Sequence, residues 1–178
     1  MLRSSTICQA ALGSSEILEV RARLAARGAL LPELRPRAGI GPVSHPAYDA
    51  FVVLVSRGLA VGGYENEPHL DAPFSTVGFA YLLSNVAGRF FYEPSLGDEL
   101  VSAAMGQAPL EAPLRPEVAA ELMHLAACRL IGCPAESGWT GLVTAGLAQG
   151  GEPAGTLTRG EAYQLAAALA RLAPGYAP

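Results

Sequence analysis

A short sequence pattern that occurs three times constrains the fold more than any other feature of the chain. It reads Leu-Val-Ser/Thr followed mainly by small residues, and it occupies residues 54–63, 100–109 and 142–151. The first and third copies carry glycines at the same places, which the middle copy lacks. A unit repeated on the order of every 40 to 46 residues cannot bury its apolar face alone. We therefore expect three such units to pack on one another.

A second helical pattern follows each copy, after a connection that contains Pro or Gly, and it covers residues 74–90, 114–130 and 157–172. Aligned without gaps, these patterns share three apolar positions: Phe74, Leu114 and Leu157; Phe79, Ala119 and Ala162; Leu82, Leu122 and Leu165. Chance similarity among Ala- and Leu-rich helices is the competing explanation. The order of features argues against chance, because an apolar helix, a break and a capped apolar helix recur three times in the same order.

The sequence therefore predicts an all-α fold of three diverged helix–loop–helix repeats, packed with pseudo-threefold symmetry or as a compact helical array. The repeats are expected at about 44–92, 93–133 and 134–174, within a body that covers residues 44–178. Residues 1–43 are expected to form an N-terminal helix, over 16–28, and a Pro-rich loop packed on that body.

The predicted helix ends follow from local chemistry. Gly58 and Gly146 stand where a helix needs a residue with positive φ to end it. A hydroxyl of the Ser75-Thr76 pair is placed to cap the second helix of the first copy, and that of Thr158 to cap the second helix of the third. Pro116 is expected in the first turn of the middle one, where its missing N–H costs nothing.

Composition restricts the partners. The net charge is −4, which gives no electrostatic footprint for a phosphate backbone, so nucleic acid is not expected to be a partner. The most apolar stretch, 50–60, is far shorter than the roughly 20 residues of a membrane-spanning helix. Because the N-terminus has no continuous apolar signal segment, a cytoplasmic location is expected on this ground.

The strongest local signal for a ligand is the predicted start of the last helix. Thr158, Arg159 and Glu161 place a cap, a guanidinium and a capping-box carboxylate in one turn. Beside free backbone N–H groups, the guanidinium suits an anion such as a carboxylate or phosphate. The alternative is an ordinary capping box with a solvated Arg.

Trp139, the only tryptophan, starts the third unit's first helix. It is interpreted either as a packing anchor or as a stacking platform for a sugar ring, and we include it among the candidate ligand-binding residues.

Three residues have the spacing of a metal site. His124 and Cys128 are four apart on a predicted helix, and Cys133 follows it. The alternative is a buried thiol and a histidine at the edge of the core. With Cys8, the cysteine count is three, which predicts free thiols and no disulfide framework. Because only three soft ligands are visible and Cys128 lies within an Ala-rich apolar stretch, we predict no metal.

No catalytic constellation is recognisable. His45 is placed to cap the helix that contains Tyr48, and the His69-Leu70-Asp71 segment lies in a loop where solvation is the simplest role. A phosphate-binding Gly loop, a dinucleotide fingerprint and a nucleophile elbow are all missing from the sequence. We predict that the chain is not an enzyme and that it uses no cofactor.

The repeat unit resembles that of the S-layer homology family. The matching residues are Gly58-Leu59 with Gly62 and Tyr64, Gly146-Leu147 with Gly150, and Thr158-Arg159-Gly160-Glu161, within about residues 43–172. The family's Asp-Gly-x-Phe loop is missing from all three copies, and only the third keeps the Thr-Arg-x-Glu helix start. Residues 17–63 have a weaker likeness to a small peptidoglycan-binding domain.

The first resemblance implies a helical prism that binds cell-wall polymers between repeats, with Arg159 as the ligand cation and with Thr158 and Glu161 shaping the helix start. The leading hypothesis is a non-catalytic module that binds an anionic cell-envelope glycan or a protein partner, at one site rather than three. The alternative is a cytoplasmic helical adaptor or structural subunit, possibly a homo-oligomer, without a glycan ligand. By resemblance the location is the cell envelope.

Overall fold

A computed structural model describes residues 45–57, 59, 69–109 and 111–176. These residues form six helices and no β-strand, which confirms the predicted all-α class. We name the helices in chain order: α1 Tyr48–Ser56, α2 Thr76–Phe90, α3 Leu96–Gln107, α4 Pro116–Leu130, α5 Gly138–Thr144 and α6 Arg159–Arg171. The predicted N-terminal helix, the likeness to a peptidoglycan-binding domain before residue 45, and the glycines of the first copy lie outside the described residues.

Helices α2, α4 and α6 begin within two residues of where the second helical patterns begin. The Ser75 hydroxyl accepts a hydrogen bond from the Gly78 N–H at 3.1 Å, which caps α2 as predicted. Pro116 is the first residue of α4, as its missing N–H favours. Thr158 caps α6 in a complete capping box with Glu161.

The helix that contains the Leu-Val-Ser/Thr pattern ends differently in the second and third copies. α5 ends at Thr144, and Gly146 follows with φ of 72°, a conformation that Gly adopts without steric cost. The Leu147 N–H then donates to the Leu142 carbonyl at 2.8 Å, which closes the helix end. In the middle copy no Gly stands at this point, and α3 continues to Gln107.

The helices pack in a regular order. α2 packs on α3, α4 packs on α5, and α6, the last helix, packs on α1, the first described one. In addition, α3 packs on α4, and α2, α4 and α6 contact one another. The last described helix therefore packs on the first described one, and the three helices that follow the Leu-Val-Ser/Thr segments meet.

Three backbone segments meet at the centre of this arrangement, one just before each of α2, α4 and α6. The Phe74 N–H donates to the Leu157 carbonyl at 3.2 Å, the Leu157 N–H to the Leu114 carbonyl at 2.8 Å, and the Leu114 N–H to the Phe74 carbonyl at 2.7 Å. We call this closed cycle of three bonds the central ring. Its three residues are those that the ungapped alignment matched.

A second set of bonds lies two residues further along the same segments. The Thr76 N–H donates to the Ala112 carbonyl at 2.9 Å, and the Arg159 N–H donates to the Ala72 carbonyl at 2.8 Å. The corresponding residue of the middle copy is Pro116, which has no N–H to donate. Two of the three junctions consequently form an isolated β-bridge, and the junction at Pro116 does not.

The core surrounds the central ring. Leu114 and Leu157 are fully buried, and the aligned positions of the next turns are also buried: Phe79, Ala119 and Ala162, then Leu82, Leu122 and Leu165. Phe74, the remaining residue of the first aligned set, is half-buried at the edge of this core. None of the described helices has the length and apolar character needed to cross a membrane.

Candidate functional site

The start of α6 is tightly bonded within itself. The Thr158 hydroxyl accepts a hydrogen bond from the Glu161 N–H at 3.3 Å, and the Glu161 carboxylate accepts from the Thr158 N–H at 2.7 Å and from its hydroxyl at 2.9 Å. Both polar side chains are therefore occupied in holding the first turn. Their direct role is to shape the helix start.

The next two backbone N–H groups of α6 are also used. The Arg159 N–H donates to Ala72, and the Gly160 N–H donates to the Leu70 carbonyl, each at 2.8 Å. The expectation of free N–H groups at this helix start is therefore wrong. The reason is that the segment before α2 crosses the start of α6 and supplies carbonyl acceptors, which no local pattern reveals. A bound anion would have to be recognised by a side chain.

The Arg159 side chain lies over the Phe74 ring. Its guanidinium carbon is 5.6 Å from the centroid of the Phe74 ring, within the range of a cation–π interaction. Phe74 in turn meets Tyr163 edge-on, with 5.9 Å between ring centroids and 78° between planes. Because Phe74 belongs to the central ring, the half-buried guanidinium has a defined place at the junction between α6 and the first copy.

Tyr163 is buried beneath this cation, with 2% of its surface exposed. Burial raises the pKa of its hydroxyl to about 12, although the positive charge of Arg159 acts to lower it. The folded state thus favours the neutral phenol more than the unfolded state does.

This pKa predicts a loss of stability in alkaline solution. The contribution of Tyr163 is complete below its unfolded pKa of about 10 and is lost as the pH rises from there through about 12. Urea denaturation at pH 9 and pH 11 should show a smaller decline for Tyr163→Phe than for the wild type. Tyr92→Phe, at a site that is 77% exposed, serves as the control and should behave like the wild type. Equal declines in all three proteins would contradict the assignment.

A histidine–carboxylate pair borders the same helix start. The Nε2 atom of His45 lies 3.1 Å from an Asp71 carboxylate oxygen, and its Nδ1 accepts the Ala47 N–H at 3.0 Å, just before α1. The sequence had suggested a capping role for His45 and had placed Asp71 beside His69. The sequence does not reveal the pairing of His45 with Asp71, because the two residues are 26 positions apart. They meet because α1 packs on α6 and residues 70 and 72 accept hydrogen bonds from the start of α6.

Gly160 is a further residue whose importance the sequence did not reveal. A Cβ atom added there would lie 2.9 Å from the Ala47 Cβ, 3.1 Å from His45 Cε1 and 3.1 Å from the Leu70 carbonyl oxygen. α6 can approach α1 and the segment before α2 this closely because residue 160 has no side chain.

Trp139 lies elsewhere, on α5, which packs against α4. Its side chain belongs to the hydrophobic core and is 8% exposed. A ring so deeply buried fills space between helices, which favours the packing role over the stacking role. The structure therefore does not bring Trp139 into the site at the start of α6, which packs against α1.

The prediction that the cysteines are free thiols is wrong for two of the three. Cys128 and Cys133 form a disulfide. The physical reason lies at the end of α4, where the N–H groups of Ile131 and Gly132 both donate to the Ala127 carbonyl and Gly132 has φ of 102°. This turn reverses the chain and returns Cys133 to Cys128. Cys8 lies outside the described residues.

Comparisons with known proteins identify no relative of this chain. No family model, no curated protein and no solved structure matches the chain.

Proposed function

We propose that the chain is a non-catalytic binding module of the S-layer homology type, in which three helix–loop–helix repeats surround an approximate threefold axis and an anionic cell-envelope glycan binds at Arg159. The observation that carries the proposal is the central ring. Three segments equivalent in the alignment exchange three equivalent hydrogen bonds, and Arg159 is held against one of their side chains, Phe74.

The order of helix packing supports the threefold arrangement. Each of the contacts α2 on α3, α4 on α5 and α6 on α1 joins one copy to the next, and the third contact returns to the first copy. The pattern of extra bonds agrees, since the junction without one is the junction where Pro116 stands. A linear stack of repeats would leave its first and last helices unpaired.

The binding chemistry is that of a single guanidinium. Thr158 and Glu161 are bonded to each other, and the adjacent backbone donors bond to carbonyls, so recognition falls to Arg159. Its planar fork of N–H donors matches the oxygen pairs of carboxylates and phosphates, which anionic glycans carry.

Retention by purified cell walls tests this proposal. Wild type should be retained by walls that keep their anionic polymers and released by walls from which these polymers have been extracted. Arg159→Ala should bind roughly tenfold more weakly or worse, since a hydrogen bond to a charged group contributes about 1.5–3 kcal/mol. No retention of wild type, or equal retention of wild type and Arg159→Ala, would remove the Arg-centred mechanism.

The matched control is Arg171→Ala, which removes an exposed Arg from the last turn of the same helix. It makes the same change in net charge and should leave retention unchanged. Circular dichroism of each variant confirms that the helices remain. If wild type is not retained and is recovered from the cytosolic fraction of cells, the adaptor hypothesis replaces this one.

A further inference from the structure

A second cluster of functional side chains lies at the end of α4. One ligand atom from each of His124, Cys128 and Cys133 comes within 4.8 Å of the other two. In a tetrahedral zinc site, bonds of about 2.0–2.3 Å place ligand atoms roughly 3.5–4 Å apart. All three ligand atoms therefore lie close enough to surround one cation once reduction allows the two bonded sulfurs to separate.

The fold explains why these three residues meet. His124 and Cys128 are four apart on α4, so they lie on one face of the helix. The turn at Gly132 then brings Cys133 back to that face. The convergence follows from the helix and its termination and does not depend on the disulfide alone.

The histidine provides an independent indication of a ligand. Its Nδ1 atom is buried and has no hydrogen-bond partner in the described part of the chain. A buried ring nitrogen without a partner is costly, and metal binding or hydrogen bonding normally satisfies it. Cys133 is exposed, and His124 and Cys128 are half-buried, so a cation can enter from solvent.

We propose that this cluster is a redox-controlled site for a soft divalent cation such as Zn²⁺, which we call the α4 thiol site. In the oxidised protein the Cys128–Cys133 disulfide leaves the sulfurs unable to bind a cation as thiolates. A dithiol reductant supplies two electrons and two protons, which breaks the S–S bond, yields two thiols and converts the reductant to its own disulfide.

The reduced site then binds the cation. Two thiolates and one imidazole nitrogen form bonds to the metal, the two thiol protons leave to solvent, and water fills a fourth position. Two sulfurs and one nitrogen favour a thiophilic cation such as Zn²⁺ over Mg²⁺ or Ca²⁺, which prefer oxygen. Oxidation by a disulfide reverses the sequence and releases the cation.

Cobalt titration of the whole chain tests the proposal. The protein is reduced with a phosphine under anaerobic conditions, the reductant is removed, and Co²⁺ is added. Reduced wild type should develop a thiolate-to-Co²⁺ charge-transfer band that saturates at one ion per chain and is abolished by Zn²⁺. The oxidised protein should show no band. Absence of a band in the reduced protein would overturn the proposal.

Three variants assign the ligands. Cys133→Ser, which alters an exposed position, should lose most of the band and weaken binding by tenfold or more. His124→Gln should weaken binding while keeping thiolate absorption. Cys8→Ser removes a thiol but none of the three ligands, and it should titrate like the wild type. Binding of Cys133→Ser equal to wild type would show that the ion binds elsewhere, which also overturns the proposal.

Discussion

Leu157→Ala is expected to lower the free energy of unfolding by about 2–5 kcal/mol, the range for truncating a fully buried Leu in a core that cannot collapse around the cavity. Leu157 is 0% exposed, and its backbone gives one hydrogen bond to the central ring and accepts another. Because these bonds fix the backbone at residue 157, the site has little freedom to move inward and fill the space.

Urea denaturation of wild type and variant measures this effect. Leu172→Ala is the control, since it removes the same atoms from a side chain that is 49% exposed at the end of α6, and it should cost less than about 1 kcal/mol. Leu114→Ala should resemble Leu157→Ala, because the two residues hold equivalent places. If Leu157→Ala costs no more than Leu172→Ala, the three segments do not form the centre of the fold.

Gly160→Ala is expected to destabilise the protein by about 1–3 kcal/mol, the usual cost of inserting a group into a well-packed site. Helix propensity alone predicts the opposite sign, since Ala is favoured over Gly by about 1 kcal/mol within a helix. The added methyl would meet the Leu70 carbonyl oxygen at 3.1 Å and the Ala47 Cβ at 2.9 Å. Neither is the end of a flexible side chain, so α6 must move.

The matched control is Gly106→Ala in α3. A Cβ there meets nothing within 4 Å, so this variant should be neutral or up to about 1 kcal/mol more stable than wild type. Denaturation midpoints of the two variants separate steric from conformational effects. Displacement of α6 by Gly160→Ala should also reduce wall retention, because it shifts Arg159. A Gly160→Ala protein as stable as Gly106→Ala would mean that α6 and α1 are not in close contact.

The parts of the structure that sequence could predict are those governed by local chemistry. The starts of α2, α4 and α6 follow from Ser75, Pro116 and Thr158, and the end of α5 follows from Gly146. Each depends on residues a few positions apart, for which the physical rules are strong. The alignment also matched Phe74, Leu114 and Leu157, whose backbones bond to one another in the structure, because a sequence period carries long-range information.

The missing parts depend on contacts between distant segments. Nothing near Arg159 indicates that residues 70–72 supply acceptors to its helix start, and nothing near Asp71 indicates that His45 will face it. The Cys128–Cys133 pair was misjudged for a different reason, because the cysteine count alone cannot reveal a turn that reverses the chain. These contacts and the disulfide decide which groups are available to a ligand at the two proposed sites, the one at Arg159 and the α4 thiol site.

Amide hydrogen exchange can show whether the three segments before α2, α4 and α6 close into the central ring. The N–H groups of Phe74, Leu114 and Leu157 lie outside helices, where exchange is usually fast. If the ring is closed, all three should exchange only through global unfolding, as slowly as amides in the middle of α2, α4 and α6. Rapid exchange of these three amides while the helices stay protected would contradict it.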